Sequence, residues 1–188
     1  MKAGTRIETE RLVLRHWQAD DIDVFHRLNH DDAVMRYFPF RRTRAQSAEM
    51  LSLIGDLIDD NGFGWAAVCL KDSGEAIGFA GLSRVHFDTD FAPAVEIGWR
   101  LLPEYWGKGY ASEAARALLA HGFEDLGLEE IVSFAAKDNH ASTAVMERIG
   151  MRPESDLDFN MPGIADDFAH LRHHVFYRTT KAGWKAAR

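Results

Sequence analysis

Apolar and polar positions along the chain repeat with two periods, and the changes of period mark its elements. Ile7 to Arg15 sets Leu12, Val13 and Leu14 between charged residues and reads as an extended segment. Asp20 and Asp21 then offer N-caps to a helix whose inward stripe is Ile22, Phe25 and Leu28. Thr43 and Gln46 have capping-box spacing, and Met50, Leu53, Ile54, Leu57 and Ile58 share one face of the helix that follows. Asn61-Gly62 ends it. Phe63 to Leu70 and Ala76 to Leu82 flank the turn residues Asp72-Ser73-Gly74, a hairpin pattern. A third strand runs from about Ala94 to Leu102 and stops at Pro103, which has no N–H to give a ladder.

The second half is simpler. Gly109 to Leu126 predicts an amphipathic helix with Ala111, Ala114, Ala115, Leu118, Leu119 and Phe123 inward, ended by Gly127. Ile131 to Ala136 is a short buried strand, Ser142 to Ile149 a short helix closed by Gly150, and Leu171 to Thr179 a last strand before Trp184. No repeat, low-complexity tract or linker interrupts the order of strand, two helices, three strands, helix, strand, helix, strands. The expectation is one mixed α/β domain over residues 1–188.

Composition excludes more than it selects. A net charge of −7 argues against a general nucleic-acid binder, which needs a basic face, and would suit a cationic amine without naming one. Cys69 is the only cysteine and cannot form an internal disulfide, which fits a reducing, cytoplasmic setting. No apolar run approaches the roughly 20 residues of a membrane helix, and the N-terminus lacks a signal-peptide core.

Chemistry concentrates in Trp106-Gly107-Lys108-Gly109-Tyr110-Ala111, between a strand and a helix. Glycines let the backbone turn tightly and approach a ligand closely, and the amides at a helix start favour an anion such as a diphosphate. The spacing is not that of a Walker loop. Gly107-x-Gly109-x-x-Ser112 also comes late, after a meander of strands, where a dinucleotide fingerprint would open the fold. Alone, the segment is some phosphate site or a plain strand-to-helix turn.

The longer run from Glu96 to Ala114 resembles motif A of the GNAT N-acetyltransferases, in particular the branch that includes bacterial acetyltransferases of ribosomal-protein N-termini. The family pattern is Gln/Arg-x-x-Gly-x-Gly/Ala; Gly109 and Ala111 match it, and Trp106 takes the first position. Glu8 to Arg15 resembles the opening strand of that branch, Ile77-Gly78-Phe79 its middle strand, and Asn139 to Ser142 with Glu147 to Met151 its motif B.

The resemblance implies a central mixed, mostly antiparallel sheet flanked by helices. It implies acetyl-CoA as donor, no metal, and a primary amine as acceptor, on a peptide N-terminus or a small molecule, attacking directly in a ternary complex. The amides of Gly107, Lys108, Gly109, Tyr110 and Ala111 would cradle the pyrophosphate, with Ser112 and Glu113 beside it. Leu101 and Leu102 would pair with the pantetheine arm, an amide near Trp99 would polarise the acetyl carbonyl, and Asn139 would support the arm from the other side.

Glu96 is the candidate base, against the alternative of a strand glutamate facing solvent or an arginine. No tyrosine lies between Ala141 and Gly150, so Ser142 is the candidate donor to the departing thiolate, or else a helix N-cap. Tyr37, Phe38 and Phe40 lie where relatives place a substrate-facing loop, and could equally pack on the core. A binding module that holds acyl-CoA without turnover is the opposed class.

Other residues carry less. Cys69 reads as core, Trp65 as core, and His26 and His121 as helix surface. His173 and His174 point to opposite faces of a strand and would not share an ion, with or without His170. Both monomer and homodimer are open, with Asn160 to Leu171 a possible dimer contact.

Overall fold

In the computed structural model, which describes residues 6–187, β1 (Ile7–Glu8) and β2 (Leu12–Arg15) lead into α1 (Ile22–His30) and α2 (Arg44–Asn61). The meander β3 (Trp65–Leu70), β4 (Ala76–Arg84) and β5 (Val95–Leu101) follows, then α3 (Tyr110–Ala120) and β6 (Glu130–Ala136). The remaining elements are α4 (His140–Arg148), β7 (Arg152–Pro153), β8 (Phe159–Asn160), β9 (His173–Thr180) and α5 (Lys181–Ala186). The strands form one sheet in the order β1-β2-β3-β4-β5-β6-β9-β7, with β8 also on β9. Every pairing is antiparallel except β5 with β6. The expected mixed, mostly antiparallel sheet between helices is therefore present.

Side-chain alternation divides the core. Leu14, Val68, Leu82, Ile97 and Leu101 point to one face and pack with Ala114, Ala115, Leu118 and Leu119 of α3 and with Val145 and Met146 of α4. The opposite face carries Trp65 and Phe79, which meet Phe25 of α1 and Ile54 and Ile58 of α2. At roughly 25 cal/mol per Å² of buried apolar surface, each such large side chain contributes about 1.5–3 kcal/mol, so both helical layers are firmly seated.

Several boundaries differ from the sequence-based expectation, each for a local reason. Asp21 does not cap α1 with its side chain; the carboxylate accepts from the Gln18 amide at 2.8 Å and pairs with Arg15 at 2.6 Å. Thr43 does cap α2, accepting from Gln46. Leu53 and Leu57 are exposed, because α2 buries the narrower stripe of Ser47, Ile54 and Ile58. The helix α3 ends at Ala120 and continues as a π-turn over His121–Asp125, which buries His121 instead of leaving it on the surface and bonds it to Asp125 at 2.7 Å. Asn139, not Ser142, caps α4, which starts at His140. Trp184 sits on α5 and packs against Phe123, ring centroids 5.3 Å apart. Cys69 is buried, and burial pushes its thiol up. No helix among the described residues is long and apolar enough to cross a membrane.

Candidate active site

The centre of the sheet is open. β4 pairs with β5 over the whole of that strand, from Gly78 opposite Leu101 to Arg84 opposite Val95. On its other side β5 meets β6 only at Glu96 opposite Val132. One residue on, the Ile97 carbonyl accepts the buried Ser133 hydroxyl at 2.9 Å, where an undisturbed ladder would offer a backbone amide. Successive backbone groups of a strand alternate in direction. Those of Trp99 and Leu101 therefore point the same way as Ile97, into the gap, with no strand opposite. The Leu101 carbonyl also accepts the Trp106 indole N–H at 2.7 Å. The Leu102 amide is turned away and donates to Ile77 at 3.0 Å, so of the two leucines only Leu101 faces the gap.

Because β5 and β6 are parallel, the gap widens toward both C-termini, where α3 and α4 begin. Gly107 and Gly109 have φ of +72° and +83°, which L side chains adopt at a cost of about 1–2 kcal/mol. Gly109 is the N-cap of α3 and brings no side chain to it, whereas Thr43, Asn139 and Thr180 cap α2, α4 and α5. The first intrahelical amide to find a partner is that of Glu113, on Gly109 at 3.0 Å. The amides of Tyr110, Ala111 and Ser112 are left as donors at the positive end of the helix dipole. Lys108 is exposed, and its ammonium lies 5.3 Å over the Tyr105 ring.

Glu113 would repel an anion here if it stood alone. Burial by itself would raise its carboxyl, but donors outweigh burial and hold it below the usual range. They are the Thr9 hydroxyl, the Arg11 amide at 2.8 Å and the Arg11 guanidinium at 2.7 Å. Arg11 also donates to the Lys108 carbonyl at 3.0 Å and lies 4.6 Å over the Tyr110 ring. Arg11 is the brace of the glycine turn and was not singled out from the sequence. Its signal there was its place beside Glu10 in the opening-strand resemblance.

Across the gap, Asn139 accepts from the Ser142 amide at 3.2 Å. The Ser142 hydroxyl has no hydrogen bond among the described residues and sits on the first turn of α4, at the wide end. Glu96 is at the narrow end, on the α1/α2 face of β5, and burial pushes its carboxyl up to about 7. The structure thus puts Glu96 and Ser142 at opposite ends of one opening. On the same face a Cβ at Gly98 would come within 3.1 Å of the Trp65 ring, so Trp65 covers that floor. Tyr37 ties the α1–α2 loop across the opening, its hydroxyl donating to the Asp138 carbonyl at 3.0 Å. Phe38 is half-buried and Phe40 exposed.

Beyond Glu96 lies an aromatic wall not foreseen from the sequence. Phe87 and Phe91, from the β4–β5 connection, meet Phe134 and Phe159, with centroids 5.2 to 6.0 Å apart across these contacts. Their only sequence signal is the Phe-x-x-x-Phe spacing in a connecting loop. His174 is buried against Phe159, and His173 stands outside near Asp158 at 3.8 Å.

Such an opening suits a ligand with an anionic end and an extended, amide-bearing arm, the shape of a phosphopantetheine thioester. Residues 11–152 match the model of the acetyltransferase (GNAT) domain. The chain is 32% identical to the uncharacterized N-acetyltransferase YnaD of Bacillus subtilis, over 79% of this chain and 83% of that one. It is also 32% identical to the FsC-acetyl coenzyme A-N(2)-transacetylase of Aspergillus fumigatus, over 98% of this chain and 80% of that one. The crystal structure of a GNAT-family acetyltransferase from Bacillus anthracis superposes with a TM-score of 0.78 at 27% identity, covering 95% and 99% of the two chains.

Proposed function

Since the chain belongs to the GNAT acetyltransferase family and is an N-acetyltransferase, we propose that it acts as a single domain on the amine that follows from this site: a primary amine, the α-amine of a peptide or of a small molecule, attacking acetyl-CoA directly. The parting of β5 from β6 beyond Glu96 carries this reading, because it leaves the backbone of Trp99 and the amide of Leu101 as a free edge ending at the amides of α3. The free edge would hold the pantetheine arm as an added strand does, and the Gly107–Ser112 amides, with Arg11 and Glu113 locking the turn, would hold the pyrophosphate. Asn139 keeps α4 in place on the far side.

The amine must shed a proton. A free α-amine titrates near 8, and a carboxylate near 7 on the acceptor side is matched to take it. Glu96 has that value because it is desolvated at the narrow end of the opening. Ser142 is the candidate donor to the thiolate. The Tyr37–Phe40 loop roofs the acceptor side. Acetylation of ribosomal-protein N-termini stays within this reading, supported by the segments around Glu8 to Arg15 and Asn139 to Met151. A lone, buried Cys69 fits work in a reducing cytoplasm.

Thiol release from acetyl-CoA, screened over amino acids, polyamines and short peptides, tests the proposal. Turnover with at least one α-amine is expected. Tight CoA binding with no thiol release against any amine would favour a non-catalytic acyl-CoA module instead.

A further inference from the structure

Arg100 follows Glu96 by four residues on the same face of β5, about 13 Å along the strand, with Gly98 between them. Its guanidinium lies over two rings, 4.3 Å from the centre of Phe38 and 5.1 Å from that of Phe79. Ring contacts of this kind engage the face of the planar cation and leave its hydrogen-bonding edges. One edge is used: Nη1 donates to the Leu28 carbonyl at 3.3 Å and to Asn29 Oδ1 at 3.0 Å, which braces the last turn of α1. The other edge, Nε with Nη2, makes no hydrogen bond among the described residues. It is not sealed in either, since among the described residues the side-chain nitrogens closed off without a partner are His16 Nε2 and His121 Nε2.

The charge is also unanswered. Arg11, Arg15, Arg27, Arg41 and Arg178 each hold a carboxylate. Neither Arg100 nor Arg42 has one among the described residues. Burial, and then the charge of nearby Arg42, pull Arg100 down to about 10, so it remains protonated at neutral pH. Arg42 lies over the Phe40 ring at 4.7 Å, in the loop that roofs the acceptor side. Arg36, Arg84 and Arg116 also lack a carboxylate among the described residues; Arg100 differs in being deeply buried with a second guanidinium nearby. A brace for α1 needs only Nη1. Leaving the second cation and the second edge unpaired costs stability unless a ligand supplies the counter-charge.

We propose that Arg100, assisted by Arg42, is an anion-binding group of the acceptor pocket, and that the amine acetylated here carries a carboxylate. The proposal rests on the acetyltransferase reading of Glu96 and the opening beside it. The Nε/Nη2 edge presents two parallel N–H groups, the match for the two oxygens of a carboxylate. Glu96 and Arg100 then bracket a small acidic amine by its two ends, amine toward Glu96 and carboxylate toward Arg100.

The test pairs each α-amino acid of a panel with its carboxamide. The wild-type protein should favour the acid in kcat/KM by roughly 30-fold, the worth of a charge-assisted pair. Arg100→Gln should bring that ratio close to one with the KM for acetyl-CoA unaltered, and Arg100→Lys should restore part of it. Equal turnover of acids and amides by the wild type would overturn the proposal. So would an equal loss on both in Arg100→Gln, the mark of a brace alone. Calorimetric titration with N-acetylated amino acids and their amides needs no turnover, and so separates this idea from the acetyltransferase reading. Binding of the acids that Arg100→Gln abolishes supports the anion site even where thiol release fails, and binding of neither or both overturns it.

Discussion

Burial at Glu96 has two consequences with opposite uses. Its carboxyl is pushed up to about 7, so a base at this position is lost by protonation as the pH falls below that value. The acetyl-transfer rate should fall on the acid side of about 7 in the wild type, and Glu96→Gln should lower the rate and remove that inflection. A rate in Glu96→Gln equal to the wild type across the pH range would dismiss the role. Stability runs the other way. Folding favours the neutral form, so the ionised carboxylate costs nothing below its unfolded value of 4.5 and most above about 7. Glu96→Gln should therefore melt higher than the wild type near pH 8 and close to it near pH 4.5, as read by calorimetry.

Not all site residues were equally legible. Glu96, Gly109 and Asn139 belong to a contiguous pattern, and a contiguous pattern survives in one dimension. Arg11 and Arg100 act through Glu113 and Asn29, which lie 102 and 71 residues away in sequence, and only folding brings such pairs together.

At the scale of elements, the turn into α3 and the roof loop are the parts most exposed to test. Gly109→Val forces a β-branched residue to a φ of +83°, at about 1–2 kcal/mol, and re-aims the amides of Tyr110 and Ala111. Affinity for CoA should drop at least tenfold by calorimetry while the far-ultraviolet spectrum is kept; an unaltered affinity would remove the turn from pyrophosphate binding. Arg11→Ala should weaken CoA several-fold and cost less than about 1 kcal/mol of stability, because that ion pair is partly exposed. Tyr37→Phe cuts the tie to Asp138. Its expected effect is a raised KM for the acceptor with the KM for acetyl-CoA unchanged. The elements themselves were readable where one face is apolar and the other polar, as in α3. They were misjudged where geometry beyond the helix decides. Leu53 and Leu57 look like core from their spacing, yet the sheet beneath α2 reaches only as far as Ile54 and Ile58. The π-turn at His121–Asp125 brings Gly122 so close to the sheet that a Cβ would meet Ile131 at 2.6 Å, and no periodicity announces it.

For the whole molecule, the opening makes ligand binding and stability one quantity. A ligand present at about a hundred times its dissociation constant adds about 2.7 kcal/mol, and in a chain of this length each kcal/mol moves the melting temperature by about 2–4 °C. Coenzyme A should raise it by roughly 5–10 °C, whereas ATP or NAD should leave it in place.

One feature of the sheet also implies a pattern in time. Along β5 the backbone of Gly98 and Arg100 is matched to β4, while Trp99 and Leu101 look into the gap. Hydrogen exchange should therefore be stitched beyond Ile97, slow and fast by turns, with the amides of Trp99 and Leu101 trading their protons freely with water. Bound coenzyme A would close the stitches, and the strand at the heart of the enzyme would become uniformly slow only while it holds the molecule it works on.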